Sequence, residues 1–185
     1  MKKSLSLIVA IAGLSLTFNQ SLLAQGEKVA NKLFYVEFGG GGFIMSANLD
    51  GRFKSNSQLG FGYRLGAGFG VGKFDDKRAN DPNTGETSKV MRTVYTFPVG
   101  LNYIIGKPKS ASSFEVGGGV SILTREMSLF NYEVEKPGHV IGFATFMYRV
   151  APVNGGMSFR IGFTPIIGTA GDLFPMGAIG FGYAF

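Results

Sequence analysis

Residues 177–185, Gly-Ala-Ile-Gly-Phe-Gly-Tyr-Ala-Phe, form the stretch of sequence that decides the fold. Successive side chains of a β-strand point to opposite faces. One face of this stretch therefore carries only glycine and alanine, and the other carries the large apolar residues Ile179, Phe181, Tyr183 and Phe185. A face of this kind is unfavourable in water and favourable against lipid. The stretch predicts a β-strand with one face towards a membrane.

The same alternation recurs in four upstream segments, residues 59–73, 93–104, 114–124 and 158–164. Each places aromatic and aliphatic residues on one face and glycine or polar residues on the other. A further segment, 140–150, is apolar on both faces, so the sequence leaves its orientation open. After residue 24 no apolar run reaches the roughly 18 residues that a membrane helix needs. The pattern therefore predicts an all-β chain.

Two more strands are expected in the segment 32–50, which contains four consecutive glycines at 39–42. In one interpretation residues 33–38 and 43–49 are separate strands joined by a tight glycine turn. In the other they form one long strand with a glycine bulge. The first interpretation brings the count to eight. It predicts a closed antiparallel up-and-down transmembrane β-barrel.

Connections in such a barrel alternate between its two ends. Counting back from the C-terminus, the connections 151–156, 106–113 and 50–57 lie on the periplasmic side of the predicted barrel. The connections 168–174, 125–138 and 73–89 then lie on the external side. The second set is on the whole the longer one, as expected for external loops of membrane barrels.

The N-terminal 24 residues have the composition of a cleaved secretory signal peptide, with Lys2 and Lys3, an apolar run at 5–18 and Ala24. A retained anchor helix is the alternative. Cleavage leaves a barrel domain at 25–185 with 16 basic and 12 acidic residues, a net charge of +4. This mild charge suits anionic lipid headgroups or polysaccharide, and no basic face with interleaved aromatics indicates nucleic acid. The absence of cysteine excludes disulfides, thiolate chemistry and cysteine zinc sites.

Taken together, the alternating strands and the terminal Phe185 resemble the small outer-membrane barrels of the OmpA, OmpX and OmpW type, particularly glycine-rich members common in Bacteroidetes. The resemblance implies a barrel-only protein in the outer membrane of a Gram-negative-type bacterium, in contact with outer-membrane lipid and lipopolysaccharide. It also implies that the barrel-assembly machinery recognises the last strand through Ile179, Phe181, Tyr183 and Phe185.

An inward polar face would place four charged residues in the lumen of the predicted barrel. They are Glu37, Arg64, Glu115 and Arg160, accompanied by the polar residues Ser46, Asn48, Thr96 and Asn102. An eight-stranded barrel is just wide enough to be filled by side chains, and buried charges must be paired or hydrated. The favoured interpretation is a structural ion-pair network that plugs the barrel. The alternative is a narrow gated pore lined by the same charges.

Other candidate sites are weaker. His139 shares a predicted external loop with Glu126, Ser128, Glu133 and Glu135, but position 141 is Ile where lipid A deacylases place a serine. Residues 81–86 superficially resemble a calcium loop, yet their spacing departs from the EF-hand pattern and suits a plain turn. No metal, cofactor or catalytic residue is expected.

The predicted function is that of a non-enzymatic integral membrane barrel with a structural or surface-interaction role. Loops 73–92 and 125–138 would carry the specificity for any extracellular partner. The alternatives are a small channel for ions or small apolar solutes, a lipid A-modifying enzyme, and a secreted two-sheet sandwich.

Phe185 provides the first test of the membrane hypothesis. On a heat-modifiability gel of purified outer membranes, we expect the unheated protein to migrate faster than the boiled protein. Deleting Phe185 should abolish this difference, because the last strand would lose its terminal aromatic residue. A soluble periplasmic protein that tolerates the deletion would instead support the sandwich.

Overall fold

The computed structural model describes residues 29–80, 87–127, 138–168 and 171–185. Most of these residues lie in β-strands. Within these residues no helix is long and apolar enough to cross a membrane. A short 3-10 turn, Gly40–Gly42, joins the first two strands. The strands are β1 (Lys32–Gly39), β2 (Met45–Arg52), β3 (Gly60–Asn80), β4 (Thr87–Gly106), β5 (Ser112–Met127), β6 (Gly138–Val150), β7 (Gly156–Phe163), β8 (Ile166–Ile167), β9 (Leu173–Phe174) and β10 (Gly177–Ala184).

Eight of these strands close into an antiparallel barrel. Their order around the wall is β5-β4-β3-β2-β1-β10-β7-β6, and pairing of β5 with β6 completes the circle. Each strand thus pairs with its neighbour in the chain, apart from the pairing of β1 with β10, which joins the two ends of the domain. The predicted all-β closed barrel of eight strands is confirmed, and the segment 32–50 supplies two strands and not one.

The two short strands β8 and β9 extend the hairpin formed by β7 and β10. Phe163 is opposite Gly177, and Ile166 is opposite Phe174, so the register continues unchanged from one pair to the other. This register places Pro165 opposite Pro175, and proline has no N–H for the ladder. The predicted connection 168–174 is therefore too long, since Leu173 and Phe174 are already paired.

The barrel wall is much taller on one side than on the other. β3 and β4 contain 21 and 20 residues, whereas β1, β2, β7 and β10 contain 8 each. The sequence prediction ended these long strands at residues 73 and 93, which is wrong. Beyond the barrel they continue as a two-stranded arm in which Phe74 pairs with Val90 and Asn80 with Thr87. The backbone pairing extends through the arm, although the sequence there shows no apolar alternation.

Burial in this barrel is the reverse of that in a water-soluble domain. Outward side chains are large and apolar, and Phe61 is 66% exposed and Leu101 is 59% exposed. Inward side chains include Glu37 and Glu115, both completely buried. The open orientation of segment 140–150 is also settled, since its odd-numbered residues from 141 to 149 face the interior.

Apolar clusters occupy the interior at both ends of the barrel. At the end where β1 begins and β10 ends, hereafter the terminus end, the cluster consists of Ala30, Leu33, Tyr35, Ala151 and Ala184. The Ala30 N–H donates to the Val153 carbonyl at 2.8 Å, so the chain crosses beneath the barrel. At the opposite end, the far end, the cluster consists of Phe43, Val94, Leu123, Ile141, Phe143 and Ile166.

The inner glycines of β10 allow close packing within the barrel. A Cβ atom on Gly182 would lie 2.1 Å from the Phe34 carbonyl oxygen of β1, and one on Gly180 would lie 2.8 Å from Cγ of Arg160. Both distances are far below van der Waals contact. The small face of the C-terminal strand therefore lets β1 approach and leaves room for the long side chain of Arg160.

Replacing Gly182 with alanine tests this packing. We expect Gly182→Ala to lower the free energy of unfolding by about 1–3 kcal/mol, the usual cost of overpacking. Gly177→Ala is the matched control on the same strand, because the nearest atom to its added Cβ is 3.8 Å away. The chain has no tryptophan, so urea unfolding in detergent micelles is best followed by circular dichroism. Equal urea midpoints for the two variants would contradict the packing argument.

Candidate functional site

Seven charged side chains fill the middle of the barrel between the two apolar clusters. All four charged residues predicted for the lumen lie there, and three further ones join them. The acids are Glu37, Asp50 and Glu115, and the arginines are Arg52, Arg64, Arg149 and Arg160; none is more than 6% exposed. They lie on six different strands. We call them the charge network.

The charge network is a single line in which acids and arginines alternate. Arg64 is hydrogen-bonded to Glu37, whose second oxygen lies 3.5 Å from Nε of Arg160. Like Glu37, the acids Glu115 and Asp50 each contact two arginines. The remaining contacts along the line are Arg160–Glu115 at 3.0 Å, Glu115–Arg149 at 3.6 Å, Arg149–Asp50 at 3.3 Å and Asp50–Arg52 at 2.7 Å.

Two buried amides connect the line to the barrel wall. Asn102 donates from Nδ2 to Asp50 and, at 3.1 Å, to Glu115, and its Oδ1 accepts from Arg52 at 2.6 Å. Asn48 accepts from Nε of Arg64 at 3.2 Å and donates to the Ser46 hydroxyl at 2.9 Å. These polar neighbours satisfy groups that the ion pairs leave free, which a buried charge requires.

Two aromatic rings flank the charge network. The Cζ atom of Arg64 lies 5.6 Å from the centre of the Tyr35 ring and 5.5 Å from the centre of the Phe143 ring. The Cζ atom of Arg160 lies 4.3 Å from the centre of the same Tyr35 ring. Such cation–π contacts are stronger away from water. Since Tyr35 belongs to the terminus-end cluster and Phe143 to the far-end cluster, the rings join the charges to both apolar ends.

The glycine turn Gly40–Gly42 is folded into the far mouth of the barrel. The Gly41 carbonyl accepts from the Ser121 hydroxyl at 2.6 Å, and the Gly42 carbonyl accepts from the Thr96 hydroxyl at 3.3 Å. A Cβ on Gly41 would lie 3.0 Å from the Phe143 ring. Thr96, predicted as a lumen residue, is indeed inside the barrel, but it anchors this turn and not the ion pairs.

The sequence prediction missed Asp50, Arg52 and Arg149. Asp50 and Arg52 were assigned to the connection 50–57, which is wrong, because β2 continues to Arg52. They have the same parity as Ser46 and Asn48, so carrying the alternation two steps further would have placed them inside. Arg149 lies in the segment whose orientation was open, and its parity matches Thr145, which is 2% exposed.

His139 is separate from the charge network and lies at the far end of the barrel. Its Nδ1 is 3.1 Å from the Leu123 carbonyl oxygen, and its Nε2 is 3.6 Å from Glu126 in a pair whose side chains are more than half exposed. Ser128, Glu133, Glu135 and the calcium-like segment 81–86 lie outside the described residues. Among the residues that are described, no group of three or more acidic or histidine side chains could hold a metal ion.

Neutralising the central acid tests the energetic importance of the network. Glu115→Gln should lower the free energy of unfolding by about 3–5 kcal/mol, because two buried arginines lose a charged partner. Glu126→Gln is the control, since an exposed pair contributes at most about 1 kcal/mol. Both are measured by urea unfolding in micelles with circular dichroism.

A second substitution separates charge balance from packing. Adding Arg149→Gln to Glu115→Gln removes one of the excess buried cations and should recover part of the lost stability. A double variant whose loss equals the sum of the two single losses would show that the ion pair itself is energetically unimportant.

No protein-family model, curated protein or solved structure matches this chain. The chain is therefore characterised by its own geometry and not by a relative. It is a closed eight-stranded barrel with a buried line of ion pairs, an infolded glycine turn and an apolar outer surface.

Proposed function

We propose that this chain is an integral outer-membrane β-barrel with a structural or surface-interaction role and no enzymatic activity. One observation supports this most strongly: the large apolar side chains face outward and the charged ones face inward. Water would penalise this arrangement over the whole outer wall, whereas a bilayer stabilises it. The resemblance to small outer-membrane barrels indicates that this bilayer is the outer membrane.

The outward side chains of β4 follow the order expected across a bilayer. Aromatic Tyr95 and Phe97 come first, aliphatic Val99 and Leu101 follow, and Tyr103 comes last, all of them exposed. Membrane barrels carry such aromatic residues at both interfaces, around an apolar band of about 25 Å. The eight steps from Tyr95 to Tyr103 span about 21 Å along the membrane normal, for 3.4 Å per residue and a tilt of about 40°.

Charge at the terminus end supports lipid headgroups as partners. Four exposed lysines surround this end, Lys32, Lys54, Lys107 and Lys109, whereas no exposed acidic side chain lies there among the described residues. Anionic headgroups attract such a ring of lysines. In the proposed orientation the terminus end faces the periplasm, and the arm of β3 and β4 rises from the outer surface, where it is available to an extracellular partner.

The filled interior favours a structural role over a pore. The charge network joins β1, β2, β3, β5, β6 and β7, and an apolar cluster covers it at each end. A channel for ions or small solutes would have to break several buried ion pairs and displace the glycine turn. A tightly filled barrel that presents a tall external arm suits a scaffold or an interaction protein better.

Replacing an outward-facing residue with arginine tests whether the barrel wall is surrounded by a membrane or by water. We expect Leu101→Arg to lower the free energy of unfolding from phospholipid vesicles by about 2–4 kcal/mol, because the charge would lie near the bilayer centre. Phe53→Arg is the control; Phe53 is 63% exposed in a turn at the terminus end, where the cost near the interface is about 0–1 kcal/mol.

A water-soluble barrel would give a different result. Both arginines would then be surface substitutions, each within about 0.5 kcal/mol of the parent protein. Equal stabilities for the two variants, together with recovery of the protein from the soluble fraction, would overturn the proposed function.

A further inference from the structure

The charge network does not balance. It contains four arginines and three acids, so its formal charge is +1, and every member is buried. The guanidinium group of arginine stays protonated in proteins, which means that a change of protonation cannot remove the excess. A buried charge without a counterion costs several kcal/mol. The network holds no fourth carboxylate to balance the excess, and the rings of Tyr35 and Phe143 offset only part of it.

Most of the donors that lack a partner lie at the Arg64 end of the line. At the other end, the two Nη atoms of Arg52 are bonded to the Gly60 carbonyl at 2.9 Å, to Asp50 at 2.7 Å and to Asn102 at 2.6 Å, and only Nε of Arg52 has no partner among the described residues. At the Arg64 end, four donors have no hydrogen-bond partner among the described residues. One of them, Nε of Arg160, lies 3.5 Å from Oε2 of Glu37, which has no hydrogen-bond partner either. The other three are Nη1 of Arg64, Nη1 of Arg160 and the hydroxyl of Tyr35.

These three donors lie in one region of the lumen. The Cζ atoms of both arginines are within 5.6 Å of the centre of the Tyr35 ring, and both side chains contact the same Glu37. The Ser158 hydroxyl also has no partner among the described residues. Ser158 lies near Tyr35 in the wall, because Gly182 of β10 pairs with Tyr35 of β1 and with Ser158 of β7.

We propose that a small monovalent anion of the halide class binds in the lumen between Arg64 and Arg160, beside the Tyr35 hydroxyl. Two cationic donors and a phenol form a site that attracts an anion. Water could satisfy the same donors but would leave the charge of +1 in place. Phe143 lies against Arg64 on the far-end side of the site and Gly41 lies against Phe143, which favours a small anion over a large one. The proposal concerns the interior alone and does not depend on the membrane function.

Bromide tests the proposal because it can be located by its anomalous scattering. The purified protein is refolded into detergent micelles in sodium bromide or in sodium gluconate of equal ionic strength, since a filled barrel exchanges its contents slowly. We expect an anomalous peak within hydrogen-bond distance of Arg64 and Arg160 in crystals of the bromide form. We also expect the unfolding equilibrium constant to be at least tenfold smaller in bromide, because a ligand that binds only the folded state stabilises it.

Two variants connect the halide effect to this site. Arg64→Gln makes the network neutral and should abolish the difference between bromide and gluconate, whereas Arg125→Gln, at an exposed position of the far end, should retain it. If Arg64→Gln fails to fold, Tyr35→Phe removes a single donor and should reduce the difference several-fold. Bromide found only at exposed side chains, water at the site, or equal stability in the two salts would overturn the proposal.

Discussion

The sharing of three buried carboxylates among four arginines is the constraint on which the rest of this barrel depends. Arg160 can contact Glu37 and Glu115 together only if β1, β5 and β7 are all in their native registers. A slip of one residue in any strand would turn its charge outward and an apolar side chain inward. The charge network therefore selects one register for the wall. A hydrophobic interior of the same volume would define the register less sharply.

The glycine content follows from the same constraint. Long arginine side chains must lie across the inside of a narrow barrel, so the wall behind them has to be thin. Gly180 provides this space behind Arg160, and Gly182 provides it behind Tyr35. The aromatic outer face and the glycine inner face of the last strand thus both serve the same barrel wall. The outer face packs against the surroundings of the barrel, and the inner face makes room for its polar interior.

The alternation of side chains was enough to predict the wall and half of its polar contents. Phe61 and Leu101 face outward, and Arg64 and Glu115 face inward, as the period of two requires. Asp50 and Arg52 were missed because Gly51 between them offers no apolar residue to continue the pattern. The arm formed by the long strands β3 and β4 was missed for a related reason, since neither of its faces belongs to the barrel wall.

Other features could not be read from the sequence because they depend on contacts between distant residues. The glycine turn folds inward through hydroxyl groups supplied by Ser121 and Thr96, which lie far along the chain. The balance of the network likewise depends on which side chains meet in space. A pattern along one strand shows which face a residue occupies, but not which partner it finds there.

The pairing of β1 with β10 has a consequence for how the molecule forms. Leu33 lies opposite Ala184, so the wall closes only when nearly the whole chain has been made and brought together. Such non-local contacts slow folding, because the entropy of a long loop is lost before any contact compensates for it. Until closure, Glu37 on β1 can contact Arg64 and Arg160 on β7 can contact Glu115, but Glu37 and Arg160 cannot contact each other. The charge network is therefore complete only in the closed barrel, which favours closure as one cooperative step.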